Sequence, residues 1–338
     1  MSSIDDSYSR RVLVTGGAGF IGSNFLNYML GQDKYSDWLF VNIDKLDYCA
    51  SAKNVVIGPS ESGNYIFVKG DINSSDLVSH ILVTHQIDTV VHFAAQSHVC
   101  NSFSAPMKFT MDNIVGTHTL LEAVKRYNDD TNNLQKFIHV STDEVYGDQH
   151  DGKSVSESSI LMPTNCYAAS KAAAEMIVRS YQISFNLPII ITRGNNVYGP
   201  RQYPEKIIPK FILQLLQGQR CTIHGDGSTR RNFLYVDDVA RAFETILLSG
   251  EIGMIYNIGT DDEYAVMDIA EILRHKIVPD KKLTDVIVYV DDRNINDKRY
   301  LITSDPLRLL GWSESTTFQQ GIDKTIEWYR ANGMIHWH

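Results

Sequence analysis

The sequence is poor in three features that each define a class of protein: paired cysteines, surplus positive charge and long apolar runs. Its four cysteines are scattered without a Cys-x-x-Cys pair, which disfavours a disulfide framework or a zinc site and is typical of a cytoplasmic protein. A formal net charge of −9 disfavours a general partner of nucleic acid or of anionic membranes. No apolar run is long enough to span a bilayer, and residues 1–10 lack the apolar core of a signal peptide.

The remaining composition is that of an ordinary globular protein of 338 residues, 43% of them hydrophobic and 21% charged. Along the first 195 residues, short β-rich segments alternate with apolar-periodic ones, which predicts a parallel sheet with both faces covered. We expect an α/β fold with a Rossmann-like, doubly wound domain over residues 1–195 and a smaller α/β lobe over residues 196–338. The boundary is soft, because a helix expected over residues 237–248 could fold back onto the first domain. The predicted strands cover residues 11–15, 38–44, 66–68, 89–93, 136–140 and 189–192.

A glycine loop joins the first predicted strand to the first predicted helix, with glycines at Gly16, Gly19 and Gly22. A strand, a glycine loop and a helix in this order place a pyrophosphate at a helix N-terminus. Asp44 ends the second strand, where a carboxylate binds adenosine ribose hydroxyls and repels a 2′-phosphate. We therefore expect NAD rather than NADP. The alternative is a structural tight turn followed by a capping Asp, and the spacing differs from the usual GxGxxG.

Two adjacent carboxylates, Asp143 and Glu144, follow the predicted strand over residues 136–140 within the segment Ser-Thr-Asp-Glu-Val-Tyr-Gly. Burying such a pair is costly unless the groups are paired. The carboxyl end of a strand in an open α/β sheet is also where ligands bind. The segment is thus either a ligand site or a helix cap with a solvated acidic pair.

Tyr167 and Lys171 are four residues apart, so both side chains share one face of the expected helix. A phenol has a pKa of about 10, and lowering it to near 7 requires roughly 4 kcal/mol of preference for the phenolate. A nearby ammonium supplies about 1–3 pKa units, and the positive charge of an oxidised nicotinamide adds to this. The pair is therefore a candidate base for oxidising an alcohol, although the pattern also occurs by chance on ordinary helices.

Three segments, TGGAGFIG, YAASK and TRGNNVYGP, make the chain resemble the extended short-chain dehydrogenase/reductase family from Arg11 to about Tyr329. The STDEVYG and YPEK segments resemble those of nucleotide-sugar 4,6-dehydratases in particular. Within that superfamily, 4-epimerases usually lack the acidic pair and UDP-glucuronate decarboxylases typically carry Ser before the Glu. The Asp143–Glu144 pair therefore favours dehydration over those two rival reactions.

The resemblance implies an NAD-dependent hydro-lyase that converts a nucleoside-diphosphate glucose into its 4-keto-6-deoxy derivative, an early step of rhamnose or other deoxysugar synthesis. It gives Tyr167, with Lys171, the role of base at the C4 hydroxyl, whose oxygen Thr142 holds. It also assigns removal of the C5 proton to Glu144 and protonation of the departing C6 hydroxyl to Asp143. NAD remains bound as a catalyst, because the overall reaction is redox-neutral.

Further residues are carried over from the family's motifs. The implied cofactor-binding residues are Gly16, Gly19, Phe20, Ile21, Gly22, Asp44, Lys45, Asp71, Ile72, Phe93, Ala94, Ala95, Tyr167 and Lys171. The implied substrate-binding residues are Ser97, Thr142, Asn196, Lys206, Ile207, Lys210, Thr222, His224, Arg231, Asn257, Arg293 and Asn296. Arg231 and Arg293 suit a diphosphate, because guanidinium groups pair well with phosphate oxygens, but each is also compatible with a solvated surface cation.

The chain departs from bacterial dTDP-glucose 4,6-dehydratases at Gln96, Cys100 and Asn296. Gln96, Asn296 and residues 193–196 resemble the dehydratase module of plant UDP-rhamnose synthases. We therefore expect UDP-glucose to be preferred over dTDP-glucose. The two bases differ by one methyl group, worth about 1–3 kcal/mol, so both substrates remain possible.

The resemblance also implies a homodimer formed through the helices expected over residues 112–127 and 167–185, although small residues there suit intramolecular packing equally well. His92, His98 and His139 lack metal-binding spacing, so we expect hydrogen-bonded histidines and no metal. A remote alternative to an enzyme is an NAD-sensing protein that has lost the chemistry. It has no need of Thr142, Tyr167 and Lys171 together.

Overall fold

Twelve strands are seen in the computed structural model, which describes residues 8–56, 63–149, 153–292 and 297–337. In chain order they are β1 Arg10–Thr15, β2 Trp38–Asp44, β3 Tyr65–Lys69, β4 Thr89–His92, β5 Lys136–Thr142, β6 Ile189–Gly194, β7 Asn196–Tyr198, β8 Cys221–His224, β9 Arg230–Tyr235, β10 Ile255–Ile258, β11 Glu263–Ala265 and β12 Ile287–Val290.

The described α-helices lie between these strands or after the last of them. They are α1 Phe20–Leu30, α2 Ser75–Thr84, α3 Val99–Ser104, α4 Pro106–Phe109, α5 Gly116–Thr131, α6 Cys166–Phe185, α7 Ile207–Leu216, α8 Val236–Ser249, α9 Val266–Ile277, α10 Leu283–Val286, α11 Asp305–Leu309 and α12 Phe318–Asn332. A wider π-type turn covers Thr110–Val115, and short 3-10 turns cover Asp33–Tyr35, Ala52–Asn54, Asp143–Tyr146 and Gly333–Trp337.

Seven parallel strands form the main sheet in the order β3-β2-β1-β4-β5-β6-β10. The chain proceeds outward from β1 in one direction and from β4 in the other, so the strand order reverses between these two strands. Thr15 of β1 is in register with His92 of β4 at this point. Ligands of open α/β sheets bind at such a reversal, beyond the carboxyl ends of the strands.

Successive residues of β1 enter different hydrophobic cores on the two faces of the sheet. Val12 and Val14 pack with side chains of α1 and α8, whereas Leu13 packs with side chains of α2, α5 and α6. This alternation follows from the two-residue period of a strand whose two faces are both covered. The predicted Rossmann-like, doubly wound α/β sheet is confirmed.

The second region builds a smaller lobe around a third core. Its sheets have the orders β11-β9-β7 and β12-β8, and α7, α9 and α12 supply side chains such as Phe211, Ile269 and Ile322. However, β10 completes the main sheet beside β6, and α8 packs against α1. The division at residue 195 stays a prediction, and residues 236–258 lie with the first region in this structure.

The helix expected over residues 112–127 starts differently from the prediction, because the turn Thr110–Val115 precedes α5. Asn113 in this turn is bonded to the backbone of Gln96 in both directions, accepting from its N–H at 2.7 Å and donating to its C=O at 3.0 Å. Asn113 also donates to the Ser170 hydroxyl at 2.8 Å. Wide turns of this kind are frequent at functional sites.

All four cysteines are free thiols. Within the described ranges, no helix has the length and apolar character needed to cross a bilayer. The same residues contain no cluster of three or more His, Cys, Asp or Glu side chains arranged to hold a metal ion.

Candidate active site

The glycine loop brings the chain into close contact with the end of β4. Gly16 has a φ of +71°, and a Cβ atom there would lie 2.6 Å from the Ala94 nitrogen. A Cβ at Gly22 would lie 2.5 Å from the Gly16 carbonyl oxygen. Glycine is therefore required at both positions, and α1 begins directly beyond the loop with Gly19 at its N-cap. The free N–H groups of such a helix start suit a pyrophosphate.

A single cleft at the reversal between β1 and β4 is lined by all fourteen predicted cofactor-binding residues, from Gly16 to Lys171. Asp44 at the end of β2 is held by two backbone amides, accepting from Ala18 N at 3.0 Å and from Leu46 N at 2.8 Å. Burial raises the pKa of Asp44, and these two hydrogen bonds oppose the rise. The carboxylate is thus fixed in the cleft wall.

The neighbouring cation in this cleft is already paired. Lys45 Nζ lies 2.8 Å from Asp112 and 3.5 Å from Asp71. A 2′-phosphate on the adenosine ribose would therefore meet Asp44, Asp71 and Asp112 together with one shared ammonium. The cleft fits the uncharged ribose hydroxyls of NAD better than the phosphate of NADP.

The two acidic residues after β5 lie in a 3-10 turn whose N-cap is Thr142. Thr142 Oγ1 accepts from Glu144 N at 3.3 Å and donates to Asp143 Oδ1 at 3.2 Å. Asn195 donates to the other oxygen of Asp143 at 2.7 Å, and Asn165 donates to Glu144 at 3.3 Å. The capping alternative is therefore correct for Thr142, but Asp143 is buried rather than solvated, with only 2% of its surface exposed.

The two carboxyl groups have different electrostatic surroundings. Burial and the adjacent Glu144 raise the pKa of Asp143 to about 7. Burial also raises the pKa of Glu144, but the positive charges of Lys206 and Arg231 oppose that rise. Near neutral pH, Asp143 is thus able to hold a proton, while the nearby positive charges act against protonation of Glu144. This is the arrangement that separates a general acid from a general base.

Tyr167 and Lys171 are both buried on α6, which begins at an N-cap formed by Asn165. Burial, together with the charges of Glu144 and Asp143, raises the pKa of Tyr167, while a hydrogen bond with Thr142 lowers it. Lys171 Nζ donates to the Val140 carbonyl at 2.7 Å, and burial lowers the pKa of Lys171 to about 8.

Lys171 is therefore not among the groups that set the Tyr167 pKa in the protein alone. The Lys171 amino group is directed to the Val140 carbonyl, while Glu144 and Asp143 act to raise the pKa of the phenol. A phenolate here requires additional positive charge from outside the chain. An oxidised nicotinamide carries that charge, and Tyr167 and Lys171 line the cofactor cleft.

A second cavity adjoins the first and extends into the lobe. Lys206 lines both regions and donates to the Ser97 carbonyl at 2.8 Å. The structure brings most of the predicted substrate residues to this combined cavity, namely Ser97, Thr142, Asn196, Lys206, Ile207, Lys210, Thr222, His224 and Arg231. We call the second cavity the sugar pocket, because most of the predicted substrate residues line it. Asp143, Glu144 and Tyr167 lie where the cofactor cleft meets the sugar pocket.

Of the predicted substrate residues that the structure describes, Asn257 does not line this cavity. It is wholly buried in β10, where it accepts from the Tyr146 hydroxyl at 2.8 Å and donates to the Thr303 carbonyl at 2.9 Å. These two bonds connect β10 to the segments that carry Tyr146 and Thr303. Arg293 and Asn296 lie outside the described residues.

The cavities are also lined by side chains that sequence reasoning did not assign to the site, among them Gln96, Asn165, Asn195, Asp297 and Tyr300. Asn165 has a recognisable signal, because an Asn directly before an apolar helix is a favoured N-cap. Asp297 and Tyr300 reach the pocket from a distant loop, and no local pattern marks them.

Comparison with known proteins places these features in a family. The family model described as GDP-mannose 4,6 dehydratase matches residues 13–325. An Arabidopsis thaliana protein described as a trifunctional UDP-glucose 4,6-dehydratase/UDP-4-keto-6-deoxy-D-glucose 3,5-epimerase/UDP-4-keto-L-rhamnose-reductase is 51% identical over 326 residues, covering 96% of this chain and 47% of that protein. The chain thus spans about half the length of this plant relative.

The dTDP-D-glucose 4,6-dehydratase of Bos taurus is 48% identical over 330 residues, covering 97% of this chain and 90% of that one. Among solved structures, the dTDP-glucose 4,6-dehydratase of Streptomyces venezuelae with NAD and TYD bound superposes with a TM-score of 0.89 at 36% identity, covering 95% of this chain and 97% of that one. The resemblance drawn from the glycine loop and the STDEVYG segment is confirmed. The chain belongs to the GDP-mannose 4,6 dehydratase family, on the extended short-chain dehydrogenase/reductase fold.

Proposed function

We propose that this chain is an NAD-dependent 4,6-dehydratase of a nucleoside-diphosphate glucose, a hydro-lyase that yields the 4-keto-6-deoxy sugar. The observation that carries the proposal is the buried Asp143, whose pKa is raised to about 7 by burial and by Glu144. It lies beside Tyr167 and Thr142, where the cofactor cleft meets the sugar pocket. A carboxyl group that retains its proton at neutral pH is what departure of a hydroxyl requires.

The residues lining the cofactor cleft fit NAD. The glycine loop with the start of α1 would hold the pyrophosphate, Asp44 would hold the adenosine ribose, and Asp71 and Ile72 would contact the adenine. Bound NAD would supply the hydride acceptor for oxidation at C4 and, once reduced, the hydride donor for C6. Tyr167 and Lys171 lie at the nicotinamide end of the same cleft.

The first task of the chain's own residues is at the C4 hydroxyl. Thr142 would position that oxygen by a hydrogen bond, and Tyr167 would accept its proton as the phenolate, a form that the positive charge of an oxidised nicotinamide would favour. Oxidation at C4 matters because the C5 proton of glucose is not acidic and hydroxide is a poor leaving group from C6. A ketone at C4 makes the C5 proton acidic, so that elimination of water becomes possible.

The two carboxyl groups then act on adjacent carbons. Glu144 removes the C5 proton, and Asp143 donates its proton to the departing C6 hydroxyl, which leaves as water. Glu144 afterwards returns a proton to C5 of the product. General acid and base groups in such positions contribute about 10²–10⁴-fold each to the rate.

A 4-epimerase or UDP-glucuronate decarboxylase on the same scaffold is the nearest rival. Neither reaction expels a hydroxyl from C6, so neither gives a protonated Asp143 a task. The test is incubation of the purified chain with UDP-glucose and dTDP-glucose separately, followed by mass spectrometry and NMR. Loss of one water and a keto group at C4 are expected. A product of unchanged mass with inverted C4 would establish the epimerase instead.

UDP-glucose is the substrate we favour, supported by Gln96, by residues 193–196 and by the identity to the plant relative. Because one methyl group separates the two bases, dTDP-glucose is expected to react as well. A comparison of kcat/KM for the two substrates decides this point. A clearly higher value for dTDP-glucose would reverse the preference.

We further propose a cytoplasmic homodimer. Several large apolar side chains are exposed on and near the helices α3 to α6, which supports an interface there: Phe103, Met107, Met111, Val115, Met176, Ile183 and Phe185. Light scattering at working concentration is expected to give twice the chain mass. A monomer would refute the dimer. The free thiols support a reducing compartment.

A further inference from the structure

Asp297 in the lobe accepts two hydrogen bonds that have no role in the proposed reaction steps. Its Oδ2 atom accepts a hydrogen bond from Thr164 Oγ1 at 2.5 Å and another from the Tyr300 hydroxyl. Asp297 and Tyr300 are 8% and 3% exposed, so the contact is nearly dry. Hydrogen bonds to a carboxylate in such surroundings are stronger than neutral ones.

On the lobe side, the contact leads to the cation expected to bind the diphosphate. The Arg231 guanidinium lies over the Tyr300 ring, 4.9 Å from its centre, and Arg231 Nη1 donates to the Arg230 carbonyl at 2.7 Å. A guanidinium over an aromatic face gains about 0.5–2 kcal/mol, depending on exposure. The ring therefore fixes where Arg231 points within the sugar pocket.

On the other side, the contact leads to the start of α6, the helix that carries Tyr167 and Lys171. Thr164 immediately precedes Asn165, whose Nδ2 donates to Glu144 and whose Oδ1 accepts from Ala168 N at 2.9 Å to cap α6. Glu144 is therefore oriented by a residue whose neighbour is tied to the lobe. A continuous series of contacts runs from Arg231 through Tyr300, Asp297, Thr164 and Asn165 to Glu144.

We propose that Asp297 and Tyr300 are positioning residues that couple the binding of the diphosphate by Arg231 to the placement of Glu144 at C5 of the sugar. The inference rests on the proposed function. Both residues line the part of the cavity that extends into the lobe, and neither is assigned a proton-transfer step. The Tyr300 ring acts on Arg231, and the Tyr300 hydroxyl acts through Asp297 on the segment that carries Asn165.

Two substitutions of Tyr300 separate these effects. Tyr300→Phe keeps the ring under Arg231 and removes only the bond to Asp297, so UDP affinity by calorimetry and KM should stay within about twofold of wild type. Its kcat should fall roughly 10-fold, in line with the loss of one hydrogen bond to a charged group. The isotope effect with substrate deuterated at C5 should increase, because proton removal becomes slower. Tyr300→Leu should in addition weaken UDP binding roughly 2- to 30-fold.

Thr164→Val removes the other hydrogen bond to Asp297. It keeps the proposal testable if a Tyr300 variant fails to fold. It should reproduce the kcat loss and the larger isotope effect with unchanged UDP affinity. Combined with Tyr300→Phe, its effect should be less than multiplicative, because both substitutions act through Asp297. Tyr289→Phe, at an exposed tyrosine of β12, is the matched control and should change nothing.

Unchanged kcat and isotope effect in Tyr300→Phe and Thr164→Val would overturn the proposal, as would fully multiplicative effects in the double variant. A uniform loss of UDP binding in Tyr300→Phe would also overturn it, because that variant retains the ring. If wild-type protein gives no 4-keto sugar while it binds UDP, the proposed function fails instead. The two failures are therefore distinguishable.

Discussion

The cofactor cleft and the sugar pocket meet at Tyr167 but are built from different chemistry. The cofactor cleft uses backbone at strand ends, glycines and carboxylates, and its cation Lys45 is paired with Asp71 and Asp112. The sugar pocket uses long cationic side chains from the lobe, Lys206, Lys210 and Arg231. Under the proposed function, two diphosphate groups would be recognised in two ways, by backbone N–H groups at the sheet and by side chains of the lobe.

The largest effect is expected from the acidic pair where the cofactor cleft and the sugar pocket meet. Asp143→Asn and Glu144→Gln should fold and retain NAD, because neither side chain lines the cofactor cleft. Each should lose about 10²–10⁴-fold in dehydration rate, since each removes one proton-transfer group. Product formation and cofactor content of the purified variants are the measurements. Near-normal turnover in both variants would contradict the assignment of acid and base.

A smaller effect is expected from a substitution that weakens substrate binding in the sugar pocket and leaves the cofactor cleft intact. Arg231→Met should raise KM roughly 10- to 100-fold without loss of NAD, because hydrogen bonds to charged groups contribute about 1.5–3 kcal/mol. Arg230→Met is the control, since the Arg230 side chain is 44% exposed and faces Glu263 and Asp268. Steady-state kinetics of both variants test this. Equal increases in KM would mean that Arg231 has no specific role.

A substitution in the glycine loop should instead affect the cofactor cleft. Gly16→Ala forces a side chain into a positive-φ position and against the Ala94 nitrogen, so cofactor content should fall and the protein should lose about 1–3 kcal/mol of stability. Gly218→Ala provides the same φ of +71° with nothing within 4 Å of the added atom. Denaturant unfolding of the two variants should show the larger loss for Gly16. Equal losses of stability would indicate that backbone strain alone, and not the contact with Ala94, destabilises the Gly16 variant.

The smallest effect concerns stability against pH. The pKa of Asp143 is raised to about 7, so the folded protein retains a proton that the unfolded chain releases from about pH 4 upward. The stability contribution of this carboxyl therefore falls as pH rises through that window. Asp143→Asn should unfold close to the wild-type temperature at pH 5 and roughly 1–4 °C above it at pH 8.

Thermal unfolding across this pH range, with Asp33→Asn as an exposed control, measures the difference. A constant offset at every pH would mean that Asp143 does not titrate in this window.

The cofactor cleft could be predicted from the sequence because its parts are short contiguous motifs at strand ends. Gly16 to Gly22, Asp44 and Phe93 to Ala95 each follow a recognisable strand, and parallel strands bring these ends together. The sugar pocket was harder to predict. Asp297 and Tyr300 enter it from a loop with no local pattern, whereas Asn257 faces away from it into the interior.

The electrostatics of Tyr167 could not be predicted either. The spacing to Lys171 places the two side chains on one face of α6, but it does not reveal that Lys171 bonds to the Val140 carbonyl. Nor does it reveal that the carboxyl groups of Asp143 and Glu144 raise the pKa of the phenol. Spacing along a helix predicts which side chains of that helix are neighbours. The pKa of Tyr167 depends instead on groups in and directly after β5.

The position of β10 beside β6 has a consequence for how the chain is assembled. While the protein is synthesised from its N-terminus, β6 is complete before the lobe segments that precede β10 have emerged. Until Ile255–Ile258 arrives, β6 is an edge with unpaired N–H and C=O groups, open to pairing with other chains. A fragment that ends at residue 195 would keep that edge permanently and is expected to aggregate, whereas a fragment that extends through β10 would close it.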